Sequence, residues 1–144
     1  GLGDVYKRQI REHSKNADEI AKFLMSHPKV ERVSHPSVAS DLAKERADKY
    51  LSGGCGGLMG FEIKGGIEAG KQFINSLEMF YHVANIGDSR SLAIHPASTT
   101  HSQLNEEELL SAGVTPGYVR LSIGLEHLDD IKDDLSQALD KVSV

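Results

Sequence analysis

Residues 118–123 read YVRLSI, and this stretch decides how the chain is expected to fold. Aliphatic side chains stand at positions 119, 121 and 123, and Tyr118, Arg120 and Ser122 alternate with them. A period of two predicts a β-strand with one apolar face and one polar face. We therefore expect Arg120 to point away from the hydrophobic core.

A second stretch with the same alternation, LMGFEI at 58–63, predicts another half-buried strand. Shorter strands are indicated by KVERV at 29–33 and SLAI at 91–94. Helical spacing of apolar residues predicts helices over 10–24, 41–51, 67–77, 105–113 and 128–142. Asn105 is expected to cap one helix at its start and Gly113 at its end. The pattern predicts an α+β fold, a small, mostly antiparallel sheet with helices on one face.

Composition narrows the class of protein. The chain has 144 residues, about one domain, and 39% of them are hydrophobic, which is enough for a core. Its net charge is -5 and its basic residues do not cluster, so nucleic acid is not an expected partner. Cys55 is the single cysteine, which excludes an internal disulfide. With neither a signal peptide nor a membrane-length apolar run, we expect a cytoplasmic protein that binds no membrane.

The first nine residues, GLGDVYKRQ, do not start with Met and share no apolar period with the residues from Ile10 onward. We interpret Gly1–Gln9 as a non-native or disordered leader, and residues 10–144 as the domain.

Two histidines, His95 and His101, stand among hydroxyl side chains in SLAIHPASTTH. Imidazole is a common metal ligand, but Pro96 prevents a helix that would bring both rings onto one face. We therefore predict no metal site here. Both histidines are expected to brace the loop between a strand and the helix that begins near Asn105.

Arg120 is the candidate ligand-binding residue. Its planar guanidinium can hold a carboxylate through two parallel hydrogen bonds, and polar Tyr118 and Ser122 flank it. The alternative is an ordinary solvated arginine on a strand, and the residues alone leave both readings open.

Three motifs in order carry a family resemblance: YLSGGCGGLMGFEIKGG at 50–66, GDSRSLAIHPASTTH at 87–101 and NEEELLSAGVTPGYVRLSIGLEHLDDI at 105–131. From about Ile10 to its end, the chain resembles the carboxy-terminal part of the Cys/Met-metabolism family of pyridoxal-phosphate enzymes. Within that family it is most similar to the O-acetylhomoserine sulfhydrylases, which act in methionine and cysteine biosynthesis. The resemblance implies the small C-terminal domain of a fold-type I enzyme, closing over pyridoxal phosphate that a larger N-terminal domain mainly holds.

The resemblance also implies site residues. Arg120 would clamp the α-carboxylate of a small amino-acid substrate, Asn85 and Ile86 would lie beside that carboxylate, and Thr100 would support the Arg120 pocket by hydrogen bonding. No catalytic, cofactor-binding or metal-binding residue is identified in this chain. The lysine that would carry the cofactor is expected elsewhere, so this part alone should be inactive. The full-length protein is expected to be a homotetramer.

Alternatives remain at this point. Related lyases and synthases read Glu-Ser-Leu-Gly-Gly where this chain has ANIGD at 84–88, which favours a sulfhydrylase. A cystathionine γ-synthase or a methionine γ-lyase with the same Arg120 clamp is the nearest rival. A non-catalytic domain that binds a carboxylate is the rival from another class.

Overall fold

A computed structural model describes residues 2–144, and Gly1 of the predicted leader lies outside the described residues. Within that range the chain forms five α-helices and a five-stranded sheet. The helices are α1 Leu2–Met25, α2 Asp41–Tyr50, α3 Gly66–Ser76, α4 Glu106–Ser111 and α5 Leu128–Asp140. The strands are β1 Val30–Ser34, β2 Leu58–Ile63, β3 Tyr81–His82, β4 Leu92–Ile94 and β5 Tyr118–Ser122.

The strand order is β1-β2-β5-β4-β3, and every pair is antiparallel except β3 with β4. The predicted α+β fold with a mostly antiparallel sheet is therefore confirmed. None of the helices in the described part of the chain is long and apolar enough to cross a membrane.

One face of the sheet carries the core. Phe61 on β2 pairs with Val119 on β5, and both side chains are buried. The helices α1, α3 and α5 supply the other half of the core, with Ile20, Phe73 and Leu135 fully buried. The Phe61 and Phe73 rings meet edge to face with centroids 5.4 Å apart, a preferred aromatic geometry. The buried apolar area of these layers is the main source of stability.

The opposite face carries the polar residues of β5, as the alternation predicted. Arg120 pairs with Gly60 of β2 on one side and with Ile94 of β4 on the other. Tyr118 pairs with Glu62 in the neighbouring cross-strand row. Directly opposed residues share a face, so these side chains lie away from the layer of α1, α3 and α5.

The described part of the predicted leader is helical, and its non-native origin stays a prediction. Helix α1 begins at Leu2, eight residues before the predicted start at Ile10. The apolar pattern missed these turns because the side chains of residues 4–8, Val5 and Tyr6 among them, are exposed and do not pack on the core. No breaker separates these residues from the amphipathic part of the helix.

Two short elements had no signal in the sequence. Strand β3 contains only Tyr81 and His82, both exposed, and its backbone pairs in parallel with β4. A 3-10 turn at Pro96–Ser98 follows β4. Helix α4 begins as predicted with Asn105, whose side chain accepts a hydrogen bond from the backbone N–H of Glu108 at 3.0 Å.

Candidate functional site

An open cleft of about 920 Å³ lies against the polar face of the sheet. Gly60, Tyr118 and Arg120 line it on the sheet side, and Ala43 and Ala47 of α2 line it opposite. Two further guanidinium groups, those of Arg32 and Arg46, also line the cleft. Arg32 pairs with Glu62, with 3.0 Å between Nη2 and Oε2.

Arg120 is half-buried in this cleft. Its Nη2 donates a hydrogen bond to the backbone carbonyl oxygen of Asn85 at 3.2 Å. Within residues 2–144, no carboxylate pairs with this guanidinium. A fork with one donor committed to a neutral carbonyl retains donors for an anion, and an anionic group is the ligand this positively charged cleft favours.

The turn that contains Asn85 and Ile86 is held against β5 at two points. Arg120 bonds the Asn85 carbonyl, and Ser122 accepts a hydrogen bond at its Oγ from the backbone N–H of Gly87 at 3.0 Å. Gly87 has a φ of 75°, a backbone conformation that favours glycine. Alternate residues of one strand, 120 and 122, therefore set the position of the turn.

The predicted site residues are only partly brought together. Asn85 contacts Arg120 through its backbone. Ile86 is exposed and lines a neighbouring cavity of about 320 Å³ together with Leu58. Thr100 is exposed, and its hydroxyl lies 2.8 Å from Nδ1 of His101. Its support of the Arg120 pocket stays a prediction.

His95 is a buried structural residue. Its Nε2 lies 2.7 Å from the Pro116 carbonyl oxygen, and its Nδ1 lies 2.8 Å from the Ser98 hydroxyl. Because a carbonyl only accepts, Nε2 carries a proton, and both ring nitrogens have a hydrogen-bond partner. Burial lowers the pKa of His95. This arrangement agrees with the predicted bracing role.

His101 lies at the end of the same turn. Its backbone N–H donates to the Pro96 carbonyl oxygen at 2.9 Å. The His101 ring bonds the neighbouring Thr100 hydroxyl and so belongs to the loop rather than to the cleft.

Glu126, four residues after the end of β5, holds the segment between the turn and β4. Glu126 accepts two hydrogen bonds from Ser91, from the backbone N–H at 2.6 Å and from the hydroxyl at 2.8 Å. The Ser91 hydroxyl in turn accepts from the backbone N–H of Gly124 at 2.9 Å. A carboxylate with both oxygens engaged makes this a stable support for the turn.

Tyr118, which the sequence pattern placed only as a polar neighbour of Arg120, meets Gly60, to which the pattern gave no role in the site. A Cβ added to Gly60 would overlap the Tyr118 phenol, so the ring lies directly across β2. Burial raises the pKa of the Tyr118 phenol, and the positive charges of Arg120 and Arg32 oppose that shift. A glycine inside a strand marks a close approach of other atoms, and this signal could have identified the pair.

The chain is similar to known proteins over most of its length. A family model described as Cys/Met metabolism PLP-dependent enzyme matches residues 6–140. The chain is 54% identical to an O-acetyl-L-homoserine sulfhydrylase of Leptospira meyeri over 93% of its length. It is 42% identical to an L-methionine gamma-lyase of Fusobacterium nucleatum subsp. polymorphum over 96% of its length. It spans 30% of the first relative and 35% of the second.

A solved structure is also similar. It is a crystal structure from Campylobacter jejuni, named as an O-acetylhomoserine (thiol)-lyase, that contains N'-pyridoxyl-lysine-5'-monophosphate. The TM-score is 0.84 at 47% identity, and the match covers 92% of this chain and 31% of that one.

Proposed function

The chain belongs to the Cys/Met metabolism PLP-dependent enzymes, and from this premise we propose that it is the C-terminal domain of an O-acetylhomoserine sulfhydrylase. The full-length protein would exchange the acetoxy group of O-acetylhomoserine for sulfide and release homocysteine and acetate. The identity with the Leptospira meyeri sulfhydrylase, 54% over 135 residues, supports this choice of substrate.

One observation carries the role of this domain. The Arg120 guanidinium lies in an open cleft and, within the described residues, has no carboxylate partner. A charged fork left without a counter-ion at a half-buried position is suited to the α-carboxylate of an amino acid. Its hydrogen bond to Asn85 and the bond from Gly87 to Ser122 orient the fork and the turn relative to each other.

The family uses pyridoxal phosphate, and we propose that the lysine that would carry this cofactor lies outside this chain. In the part of the chain that the structure describes, neither cavity has a lysine in its lining. Several ammonium groups are instead engaged elsewhere: Lys29 donates to three backbone carbonyls at the end of α5, and Lys71 pairs with Glu68. The linings of these two cavities and the engaged ammonium groups of Lys29 and Lys71 support that proposal.

When bound in the assembled enzyme, the cofactor would supply an electron sink. This chain's residues would bind and orient. Arg120 would hold the α-carboxylate at a constant distance from the reacting carbons. Exposed Ile86 and Leu58, which border the adjoining cavity, would exclude water from that side when the domain closes.

A second candidate is a methionine γ-lyase, because two such proteins of Fusobacterium nucleatum share 42% and 43% identity over 96% of the chain. The same Arg120 clamp would serve methionine. A cystathionine γ-synthase differs again in its sulfur nucleophile. The ANIGD turn at 84–88 favours the sulfhydrylase over both, since its carboxylate-side residues are Asn85 and Ile86.

The assembly and location of the full-length protein follow from the same proposal. We propose a cytoplasmic homotetramer that acts on small amino-acid substrates, without nucleic-acid or membrane partners. A free-standing domain that binds a carboxylate without catalysis remains the rival of another class.

The substrate profile of the full-length protein tests the proposal. With O-acetylhomoserine and sulfide we expect homocysteine and acetate in equal amounts, and from methionine little methanethiol. Methanethiol release from methionine at a higher kcat/KM than homocysteine formation would establish the lyase instead. Absence of both activities in the cofactor-loaded protein would leave the cystathionine γ-synthase and the non-catalytic binding domain as the remaining candidates.

A further inference from the structure

We infer that Tyr118 is a second positioning residue of the Arg120 site, its phenolic hydroxyl donating to the anionic group that the Arg120 guanidinium binds. The Tyr118 phenol occupies the space that a side chain at Gly60 would fill, and this space lies directly beside Arg120 in the sheet. The inference rests on the proposed function of Arg120 and adds a specificity-determining pair to it.

The sheet register places the phenol. Ser34, Gly60 and Arg120 form one cross-strand row on the polar face of the sheet. Tyr118 starts from the next row, opposite Glu62, and its ring extends over Gly60. The hydroxyl therefore enters the Arg120 row, and neighbouring strands in a sheet are only about 4.8 Å apart.

Gly60 makes this geometry possible. A Cβ at that position would overlap the Tyr118 hydroxyl and approach its ring carbons. Ordinary strand residues would hold the ring away from Arg120. A glycine costs stability within a strand, so its presence under the ring is consistent with a functional use of the space.

The hydroxyl is available for a ligand. Among the described residues, the Tyr118 phenol makes no hydrogen bond, although the side chain is half-buried and lines the cleft. The charged groups that influence it are Arg120 and Arg32, and Arg32 already pairs with Glu62. A neutral phenol near these guanidinium groups can donate a hydrogen bond to an anion that Arg120 binds.

The geometry assigns the two donors complementary parts. Arg120 supplies charge and one edge of the fork, while Tyr118 supplies a hydrogen bond from the β2 side of the cleft. A carboxylate has two oxygens with lone pairs on both sides, so it can accept from both residues at once. A ligand without a carboxylate would gain no affinity from the Tyr118 phenol.

The test uses the full-length holoenzyme and L-homoserine as the probe, because L-homoserine has the carboxylate but no acetoxy leaving group. Tyr118→Phe removes only the hydroxyl. We expect its Kd for L-homoserine, by calorimetry, and its KM for O-acetylhomoserine to rise about tenfold. The value of kcat should stay within about twofold, since the lost contact serves binding.

Matched variants separate this role from a structural one. Tyr50→Phe removes a phenol on the exposed rim of the same cleft and should leave Kd and KM unchanged. Gly60→Ala displaces the ring while the hydroxyl is retained, and should raise Kd by a similar factor. In the Tyr118→Phe background Gly60→Ala should add little. Unfolding midpoints of all variants show which of them retain the fold.

The outcomes distinguish this inference from the proposed function. If Arg120→Ala raises Kd but folded Tyr118→Phe binds L-homoserine like wild type, the role of Tyr118 is overturned and the clamp stands. If Tyr118→Phe does not fold, a folded Gly60→Ala variant with unchanged Kd overturns it equally. If Arg120→Ala leaves Kd unchanged, both the clamp and the inference that rests on it fail.

Discussion

The Arg120 guanidinium is tied to the backbone carbonyl of Asn85, with 3.2 Å between Nη2 and the oxygen. The two residues are 35 positions apart in the chain, and the bond joins β5 to the turn that precedes β4. Ser122 adds a second tie, to the Gly87 N–H. A shift of β5 would therefore move the turn that contains Asn85 and Gly87, so the Arg120 fork and this turn change position together.

The packing of His95 against Gly70 predicts a strong effect of a small substitution. A Cβ on Gly70 would lie 2.7 and 2.8 Å from the His95 ring carbons, and the buried ring is held by Ser98 and Pro116. Gly70→Ala should gain at most about 1 kcal/mol of helix propensity but lose about 2–3 kcal/mol to overpacking, the upper part of the usual range, because the ring is held at both nitrogens. We expect net destabilisation in urea unfolding.

Gly53→Ala is the control, because a Cβ there meets nothing within 4 Å. Its stability should stay within about 0.5 kcal/mol of wild type. A Gly70→Ala chain as stable as this control would contradict the proposed packing of His95.

His95 also predicts a pH dependence of stability. Burial lowers its native pKa below the ordinary value of 6.5. Below about pH 6.5 the unfolded chain binds a proton that the native chain does not. The free energy of unfolding should therefore decrease as the pH is lowered. The slope from one group cannot exceed about 1.4 kcal/mol per pH unit.

His95→Gln removes that titration. Urea unfolding from about pH 7.5 to about pH 5 should give the variant a shallower loss of stability than wild type. Burial also lowers the pKa of His27. The slope of stability against pH in His27→Gln can therefore be compared with the slope in His95→Gln. Equal slopes for His95→Gln and wild type would mean that the His95 ring titrates normally in the native chain.

Covalent cofactor binding gives another prediction for the chain by itself. Because no lysine among residues 2–144 lines either cavity, incubation with pyridoxal phosphate followed by borohydride should leave no stoichiometric adduct. Intact-protein mass measurement checks this. Random modification of exposed lysines would appear as a mixture of masses, not as one adduct in every molecule. One adduct at one lysine in every molecule would show that the chain carries the attachment site.

The sequence predicted the elements that have strong periodicity. Alternation in β2 and β5 identified both strands, and it gave the correct faces for Phe61, Val119 and Arg120. Asn105 marked the start of α4 because its capping bonds involve residues three apart in the chain. These signals are local, so one sequence suffices to detect them.

The missed features depend on contacts between distant segments. Strand β3 is two exposed residues whose pairing comes from the β4 backbone, which leaves no trace in side-chain pattern. The bond between Arg120 and a backbone carbonyl could not be predicted either, because any residue at position 85 has that carbonyl. The position of the Tyr118 ring required the register that brings Gly60 beneath it.

The central claim is that Arg120 binds the substrate carboxylate, and steady-state kinetics of the full-length enzyme test it most directly. Arg120→Lys keeps the charge and removes the fork, so kcat/KM for O-acetylhomoserine should fall by about one to two orders of magnitude. Arg120→Ala should fall further, while cofactor absorbance stays as in wild type. Unchanged kcat/KM in folded, cofactor-loaded Arg120→Ala would contradict the claim and return Arg120 to a solvated strand residue.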